Sequence, residues 1–438
     1  MTVQPADLAL NPERALGPAA DRGLALAMNL LLFALPLAAV TAVREITLGL
    51  AAFFWLAAMA TRRRLLILRS PLDLPLLAFL AMAFLSLVWA VNPAYSFKEI
   101  RGELFKGLLV FYLAVYSLRT TERLQQTWLV LLAGNLLLLL FAFWDFFQSG
   151  GALNNYYIRA RSLHSGYGSY GTYLITVFPF LLVLVFAPLD RWQRIGVLIV
   201  TAGTAFAIYI TFGRAMWLAA GVEVLLVAGL LKKRKVLLIL LVLGALAVSA
   251  VPRTVWFHGE RLPEAAVGEA RPVGGTGGDL IAIWRLAARQ IREHPFQGIG
   301  FGRHSFSEAF TEFRASHQPL LWHAHNTLLN LTFQTGIQGL LAALWVFGVI
   351  LWKTLRPPAR DPDDSWTDLF SLATGVMVVG FLVRNFFDDF FVDDNALLFW
   401  LLVGGALGSQ KYERRTANVD ELAKSRHCER SEAIPRCK

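Results

Sequence analysis

Two histidines and an asparagine stand at the start of a long apolar run in the C-terminal third of the chain. The stretch LLWHAHNTLLNLTFQTGIQGLL places His323, His325 and Asn326 immediately before that run. An imidazole there can be an interfacial residue, a metal ligand, a proton carrier or a general base, because its unperturbed pKa lies close to neutrality. On a helix, side chains two positions apart point in different directions, unlike the i, i+4 pair of a helical zinc site. The spacing therefore predicts no metal site.

Arginine offers a second kind of chemistry. Arg214, in YITFGRAMWLAA, lies between two apolar runs, where a guanidinium either extends to lipid headgroups or clamps phosphate oxygens through its forked geometry. Two further segments would bring positive charge to the same membrane face, SFKEIRGELFK with Lys98, Arg101 and Lys106, and YYIRARSLHSGYGSYGTY with Arg159, Arg161 and His164. This set suits a polyanionic lipid-linked substrate such as a diphosphate, although binding to headgroups alone would also suit it.

Carboxylates cluster once, near the C-terminal end. The segment RNFFDDFFVDDN contains Asp388, Asp389, Asp393 and Asp394. Four carboxylates can hold a divalent cation or orient a basic partner. Such a cluster is more often a hydrated turn, and the sequence favours the turn.

The elements that must position these residues are membrane helices. The chain has 438 residues, of which 56% are hydrophobic and only 16% charged, and its apolar runs are continuous rather than alternating. This composition predicts an all-α polytopic membrane protein and excludes a barrel. The excess of Lys and Arg lies in short loops between spans, so it does not indicate binding to nucleic acid. Both cysteines, Cys428 and Cys437, are in the tail, so no disulfide supports the fold.

Hydropathy predicts about twelve transmembrane helices. Their approximate limits are 24–43, 45–60, 72–91, 104–118, 127–147, 170–188, 195–212, 215–231, 236–252, 326–352, 367–387 and 395–408. Residues 1–23 form a cytoplasmic segment without a cleavage site, 24–252 hold spans one to nine, 253–324 form one large outer loop, and 325–408 hold spans ten to twelve. Residues 409–438 are polar and predict a disordered cytoplasmic tail.

Charge predicts the orientation of these spans. Five basic loops, TRRRLLILRS, LRTTERLQQ, DRWQR, KKRK and KTLRPPARDPDD, alternate with less basic ones, so placing them in the cytoplasm leaves both termini there. All histidines except His427 then lie outside the cytoplasmic side. The outer face is therefore the predicted place of the chemistry.

The large outer loop contains an amphipathic helix over residues 280–294. Its apolar stripe falls at i, i+3, i+4, i+7, i+8 and i+11 and consists of Leu280, Ile283, Trp284, Ala287, Ala288 and Ile291. Arg285, Arg289 and Arg292 occupy another face. Pro295 ends the helix, and GIGFG follows as a glycine-rich turn. The pattern indicates a helix lying on the outer surface, and simple rest at the headgroups is the plain alternative.

Three segments in this order resemble the O-antigen ligase and O-antigen polymerase superfamily. They are TFGRAMWLAA, IWRLAARQIREHPFQGIGFGRHSF and AHNTLLNLTFQTGIQGLL. The resemblance implies that a glycan on undecaprenyl diphosphate is transferred, with inversion and without a metal or cofactor, to an acceptor sugar hydroxyl on the periplasmic side of the bacterial inner membrane. In the ligases the acceptor is the lipid A-core oligosaccharide. One position departs, because the family's usual loop arginine is Leu280 here, and Arg271, Arg285 or Arg289 would have to replace it.

Carried over residue by residue, the resemblance implies that His325 is the essential histidine, as general base or acceptor orienter, and that Arg214 contacts the donor diphosphate. The predicted substrate contacts are Arg285, Arg289, Asn326, Arg159, Arg161, Lys98, Arg101 and His323, the last with only a minor role. Gly336 and Gly339, one turn apart, are expected to let a neighbouring helix pack closely.

An O-antigen ligase is the favoured function. An O-antigen or exopolysaccharide polymerase, an O-linked protein glycosyltransferase, and a transporter or flippase are the alternatives. Few ionisable residues at mid-depth and few broken helices are expected, and both features speak against transport.

Overall fold

The computed structural model describes residues 12–37, 40–62, 69–153, 157–232, 235, 277–312, 323–355 and 365–410. Over these residues the chain is a helical bundle. The helices of its first half are α1 (Pro12–Ala34), α2 (Thr41–Arg62), α3 (Asp73–Leu85), α4 (Pro93–Glu99), α5 (Lys106–Ser117), α6 (Thr121–Gln148) and α7 (Tyr167–Leu184). Those of its second half are α8 (Arg191–Ile210), α9 (Arg214–Leu230), α10 (Gly277–Glu293), α11 (Ser305–Ala309), α12 (Thr327–Thr354), α13 (Ser365–Asn385) and α14 (393–410).

The helices confirm the predicted class of multi-pass membrane protein. Within the described part of the chain, six helices have the length and the apolar composition needed to cross a bilayer, and these are α2, α6, α7, α8, α12 and α13. A shorter apolar helix, α3, continues through a 3-10 turn to Trp89. The count of about twelve spans stays a prediction. The predicted span 236–252, the first part of the large loop and nearly all of the C-terminal tail lie outside the described residues.

The predicted limits of the first spans are wrong. Hydropathy merged residues 24–43 into one span, whereas α1 begins at Pro12, ends at Ala34, and is followed by a turn before α2 begins at Thr41. Pro36 explains the difference, because proline has no N–H to donate and disfavours helical geometry in the residue before it.

The centre of the bundle is α7, which is buried from Tyr170 to Leu184 against α13, α9 and α8. Its sequence is apolar all round, as expected for a helix surrounded by others. By contrast, α2 and α6 expose one apolar face, and side chains such as Phe53 and Leu129 lie open on the surface where lipid would cover them. Burial among neighbouring helices, rather than the lack of a polar face, therefore distinguishes α7 from α2 and α6.

The bundle has two distinguishable ends. At one end, which we call the site end, Arg44 pairs with Asp394, and the backbone N–H of Val91 donates to Ile299 O at 3.0 Å. At the other end, Arg62 pairs with Asp21. Segments that the basic-loop pattern assigned to the same side of the membrane thus contact one another. Which end faces the periplasm stays a prediction.

Helix α12 is broken at Gly336, whose φ of 75° and ψ of 176° are not helical. A continuous helix would bond the N–H of Ile337 to the carbonyl of Phe333. Instead, Ile337 donates to Pro295 O at 2.9 Å, while Phe333 O accepts from the N–H of Ile299 at 2.8 Å. The loop that follows α10 therefore satisfies the backbone groups that the break exposes, as a non-helical segment at membrane depth requires.

This arrangement corrects the role predicted for the two glycines. The element that approaches α12 closely is the loop, and a Cβ on Gly298 would lie 2.2 Å from Gln334 O. Gly336 is needed for its positive φ, and a Cβ on Gly339 would meet the side chain of Thr335 in its own helix. The helix that begins beside the histidines, α12, is a broken helix.

Candidate active site

His325 lies directly before α12 and contacts a carboxylate from the loop after α13. Its φ of 47° is left-handed, which turns the ring away from the helix axis toward that loop. Nδ1 is 3.2 Å from Asp388 Oδ1, and the second oxygen of Asp388 accepts a bond of 3.1 Å from Arg384. The His325 side chain is 24% exposed, whereas that of Arg384 is 3% exposed. The imidazole is therefore oriented from behind by a buried ion pair and remains accessible in front.

Asn326 fixes the start of α12. Its extended backbone ends the loop, and its side-chain oxygen accepts from the N–H of Leu329 at 3.0 Å as a helix cap. Its Nδ2 donates to Phe386 O at 2.9 Å and so connects α12 to the loop that holds Asp388. Both polar ends of Asn326 serve the protein's own backbone, which makes it a residue that positions His325.

His323 corrects an expectation based on spacing. The two histidine rings do not diverge, because these residues precede the helix, and their centroids are 4.2 Å apart. The backbone N–H of His325 donates to His323 Nδ1 at 3.0 Å, and Nε2 of His323 faces the guanidinium of Arg303. Burial, together with the neighbouring His325 and Arg303, lowers the pKa of His323 well below its ordinary value. His323 is therefore a neutral support that holds the backbone of His325.

The acidic loop is not the hydrated turn that the sequence favoured. Asp389 is only 4% exposed and accepts hydrogen bonds from Thr327 at 2.8 Å and Asn330 at 2.5 Å. Burial raises the pKa of Asp389. Burial would also raise the pKa of Asp388, but the hydrogen bond from His325 and the charge of Arg384 outweigh it and hold that pKa well below its usual range.

Three side chains of this cluster have the proximity that a cation site needs. Ligand atoms of His323, His325 and Asp388 lie within 4.8 Å of one another. Their other contacts disfavour metal binding. Each ring nitrogen of His323 faces an N–H donor, and Asp388 forms an ion pair with Arg384. A cation would have to displace these partners close to two guanidinium charges. The donor set fits a hydrogen-bonded ion-pair network better than a metal centre.

A second group of predicted residues meets at the turn between α8 and α9. Arg214 is exposed and is the first residue of α9, three residues beyond Thr211. The N–H of Ala160 donates to Ile210 O at 3.1 Å, so Arg159 and Arg161 flank the same turn. We call Arg159, Arg161 and Arg214 the basic corner. Arg159 stacks on Tyr167 at 4.4 Å, and Arg161 lies 3.5 Å from Asp145.

His164 does not add charge to the basic corner, although the sequence counted it there. Its ring packs 5.2 Å from that of Tyr170 and 5.4 Å from that of Tyr173. Burial lowers the pKa of His164 to about 4. The side chain is therefore neutral at physiological pH and has a packing role.

Phe390 contacts elements that belong to both groups of side chains. A Cβ on Gly168, the residue after Tyr167, would lie 2.6 Å from the Phe390 ring, so α7 begins against this ring. The guanidinium groups of Arg384 and Arg303 lie 5.0 and 5.5 Å from the ring centre. Phe390 thus connects the histidine cluster to the start of α7, next to the basic corner.

The other predicted substrate contacts lie on α10 and on the helical segment 93–105, and they belong to neither the histidine cluster nor the basic corner. On α10, Ile283 and Ala287 are buried against Phe306, Ala324 and Phe333, so the helix packs on protein rather than resting at the headgroups. Ala288, predicted within the apolar stripe, is exposed. Arg285 and Arg289 point away from the buried stripe and are exposed, as are Lys98 and Arg101 on the helical segment 93–105.

The other face of segment 93–105 is acidic, and it lines an open cleft. A π-helical turn over Ile100–Phe105 follows α4, and Glu99 and Glu103 face the cleft. Arg303, Thr327 and Asp389 also line it, so the cleft adjoins the histidine cluster. We call it the acidic cleft.

Sequence reasoning missed Arg303, Arg384 and the partnership with Asp388. Arg384 carried a signal, because an arginine near the end of an apolar helix and four residues before a carboxylate is costly unless paired. Arg303 follows directly after GIGFG, and no periodic pattern marked it. Which aspartate of the acidic loop meets His325 depends on packing between segments 63 residues apart.

Comparisons with known proteins point to the same superfamily as the resemblance of the three segments. A family model described as O-Antigen ligase matches residues 197–344, a range that includes Arg214, Arg303, His323 and His325. A protein named O-antigen ligase from Pseudomonas aeruginosa is 29% identical over 322 residues, which cover 70% of this chain and 71% of the relative. Together with the helical bundle, these matches support the resemblance of its segments to the O-antigen ligase superfamily.

Proposed function

We propose that this chain is an O-antigen ligase that transfers a glycan from undecaprenyl diphosphate to a sugar hydroxyl of lipid A-core. The observation that supports it most directly is the pairing of His325 with Asp388 next to Arg303 and Arg384, at the start of a helix inside the family match. In this proposal the site end faces the periplasm from a bacterial inner membrane, and the spans hold the protein among the lipids that anchor both substrates.

His325 acts on the acceptor. In this proposal Nδ1 of His325 carries the proton and donates a hydrogen bond to Asp388. Because a neutral imidazole has one donor and one acceptor nitrogen, the lone pair of Nε2 is then available to the attacking hydroxyl. The low pKa of Asp388 keeps it ionised, so it stabilises the imidazolium that forms as the hydroxyl loses its proton. A positioned base of this kind accelerates attack by about 10²–10⁴-fold.

The basic corner acts on the donor. The diphosphate leaving group gains charge as the glycosidic bond breaks, and guanidinium groups stabilise that charge without a metal. Arg214 stands at the first position of α9, where the backbone N–H groups and the helix dipole add positive potential. Arg159 and Arg161 provide further positive charge from the segment before α7.

The separation of the two groups suits inversion. Inverting transfer requires the nucleophile and the leaving group on opposite sides of the reacting carbon, held in line. Phe390 contacts the start of α7, next to the basic corner, and also contacts Arg384 of the histidine cluster. In this proposal the glycan lies between the two groups and presents its reacting carbon to both.

Reconstitution of the purified protein in bilayers tests the proposal. Vesicles would contain a labelled glycan on undecaprenyl diphosphate, with lipid A-core added in one sample and omitted in another, and with a chelator in a third. We expect label on the core, equal rates with the chelator, and no product without the acceptor. Longer lipid-linked chains in place of core-linked product would indicate a polymerase, and label that crosses the bilayer unchanged would indicate a flippase.

A further inference from the structure

We propose that the acidic cleft binds the uncharged terminal sugar of the acceptor and disfavours an acceptor sugar that carries phosphate. This inference rests on the proposed transfer reaction, and it assigns that reaction's acceptor to one side of the histidine cluster. The ligand class is a neutral sugar recognised through its hydroxyl groups.

Charge excludes the donor diphosphate from this cleft. Glu99, Glu103 and Asp389 line it against one guanidinium, that of Arg303. Burial, together with the nearby charge of Asp393, raises the pKa of Glu103 to about 7. At neutral pH the lining therefore supplies both carboxyl O–H donors and carboxylate acceptors, a set that matches sugar hydroxyls and repels phosphate.

A buried amide in the cleft lacks a partner. Asn330 is 1% exposed, and its Nδ2 donates to Asp389, but its Oδ1 has no hydrogen bond within the described residues. A buried acceptor without a partner is costly, and native structures usually provide one. Asn330 lines the cleft together with Glu99 and Glu103. A hydroxyl of a bound sugar would donate a hydrogen bond to the free Oδ1 of Asn330.

The rest of the lining is aromatic. Trp400, Phe301 and Phe79 form part of the wall, and their rings offer flat apolar surface to the C–H face of a sugar. An aromatic wall combined with a few convergent polar groups is the usual composition of a small-molecule site.

Position relates the cleft to catalysis. Arg303 contacts His323 and lines the cleft, and Thr327 lines it two residues after His325. Asp389 is the neighbour of Asp388 and donates its N–H to that side chain at 3.0 Å. A sugar seated in the cleft would therefore lie next to the histidine cluster.

The test compares two acceptors, core oligosaccharides that are identical except for a phosphate on the terminal sugar. For the wild type we expect kcat/KM to be about tenfold higher for the phosphate-free acceptor. Glu99→Lys should remove most of that preference, and Glu103→Gln should raise the acceptor KM while the donor KM stays unchanged. Glu308→Gln, an exposed carboxylate of the neighbouring α11, is the matched control and should change neither. Unchanged acceptor KM and preference in both cleft variants would overturn the proposal.

A binding measurement tests the cleft assignment even if the protein transfers no glycan. The deacylated phosphate-free core oligosaccharide is titrated into the intact protein in detergent without donor, and the heat of binding is recorded. If the wild type transfers nothing but binds this probe, and if Glu99→Lys and Glu103→Gln weaken the binding about tenfold, the cleft assignment stands without the reaction. If both variants unfold at the same temperature as the wild type and bind the oligosaccharide as tightly as the wild type does, the cleft assignment is refuted.

Discussion

The histidine cluster and the basic corner contain the side chains most suited to chemistry, yet they are built in opposite ways. In the cluster, His325, Asp388 and Arg384 form a continuous series of hydrogen bonds, and Arg384 is buried. In the basic corner, Arg214 is exposed, and Arg159 rests on the ring of Tyr167.

The difference follows from what each task requires. A base must present one nitrogen in one direction, so its tautomer and orientation are held by further groups. A clamp for a diphosphate must reach a mobile, strongly charged lipid, and guanidinium groups at the surface can adapt to it at little cost in desolvation. Substitutions in the cluster are therefore expected to change kcat, and those in the basic corner the donor KM.

The largest effect is expected for His325→Ala. Loss of the base should lower kcat by about 10²–10⁴-fold while the donor KM changes little. Initial rates of glycan transfer in vesicles measure this. His294→Ala, which removes an exposed imidazole at the end of α10, is the control and should keep the wild-type rate. Similar losses in both variants would remove the special role assigned to His325.

Asp388→Asn tests whether the ion pair behind the base matters. The amide keeps the shape but loses the charge that orients the imidazole and stabilises its protonated form, so kcat should fall by about 10–100-fold. The pH profile of kcat should shift together with the rate. A lower rate with an unchanged profile would indicate a purely structural role for Asp388.

His323 offers a pair of variants that separates its two contacts. In His323→Asn the amide oxygen lies near the position of Nδ1 and can still accept from the N–H of His325, whereas in His323→Gln it lies near Nε2. If His323 serves to hold the backbone of His325, the Gln variant should lose about tenfold in kcat and the Asn variant much less. The reverse order would show that the contact with Arg303 is the important one.

Arg214→Lys probes the basic corner. The variant keeps the charge but loses the fork, so the donor KM should rise severalfold, up to about tenfold, with a smaller change in kcat. Arg191→Lys, at the start of α8, is the control. Wild-type kinetics for Arg214→Lys would mean that Arg214 only extends to the headgroups.

The smallest effect concerns the acidic cleft. Because the folded pKa of Glu103 is raised from 4.5 to about 7, the unfolded chain releases this proton at lower pH than the folded one. The free energy of unfolding should therefore fall as pH rises from about 4.5 to about 7, and it should fall less in Glu103→Gln. Thermal unfolding of both proteins in detergent across this range measures the difference. Parallel curves would contradict the raised pKa.

Much of the bundle was predictable because apolar length is a local property. Helices such as α6, α8 and α9 lie close to their predicted limits, and α10 covers nearly the predicted residues. The limits predicted for the first span were wrong because Pro36 ends α1 early. The break at Gly336 had only a weak signal, a glycine within an apolar run, because the groups that satisfy the break come from a separate loop.

For this protein, the sequence by itself determined the helical membrane class and the charged ends of the spans, and it predicted roles for His325 and Arg214. These depend on composition, on periodicity and on residue patterns shared with a family. Only the tertiary structure decided that His323 supports His325, that Asp388 rather than Asp393 meets the imidazole, and that Glu99 and Glu103 face the cleft while Lys98 and Arg101 face away. The physical reason is that a buried ion pair depends on the directions of side chains from distant segments, which no local pattern contains.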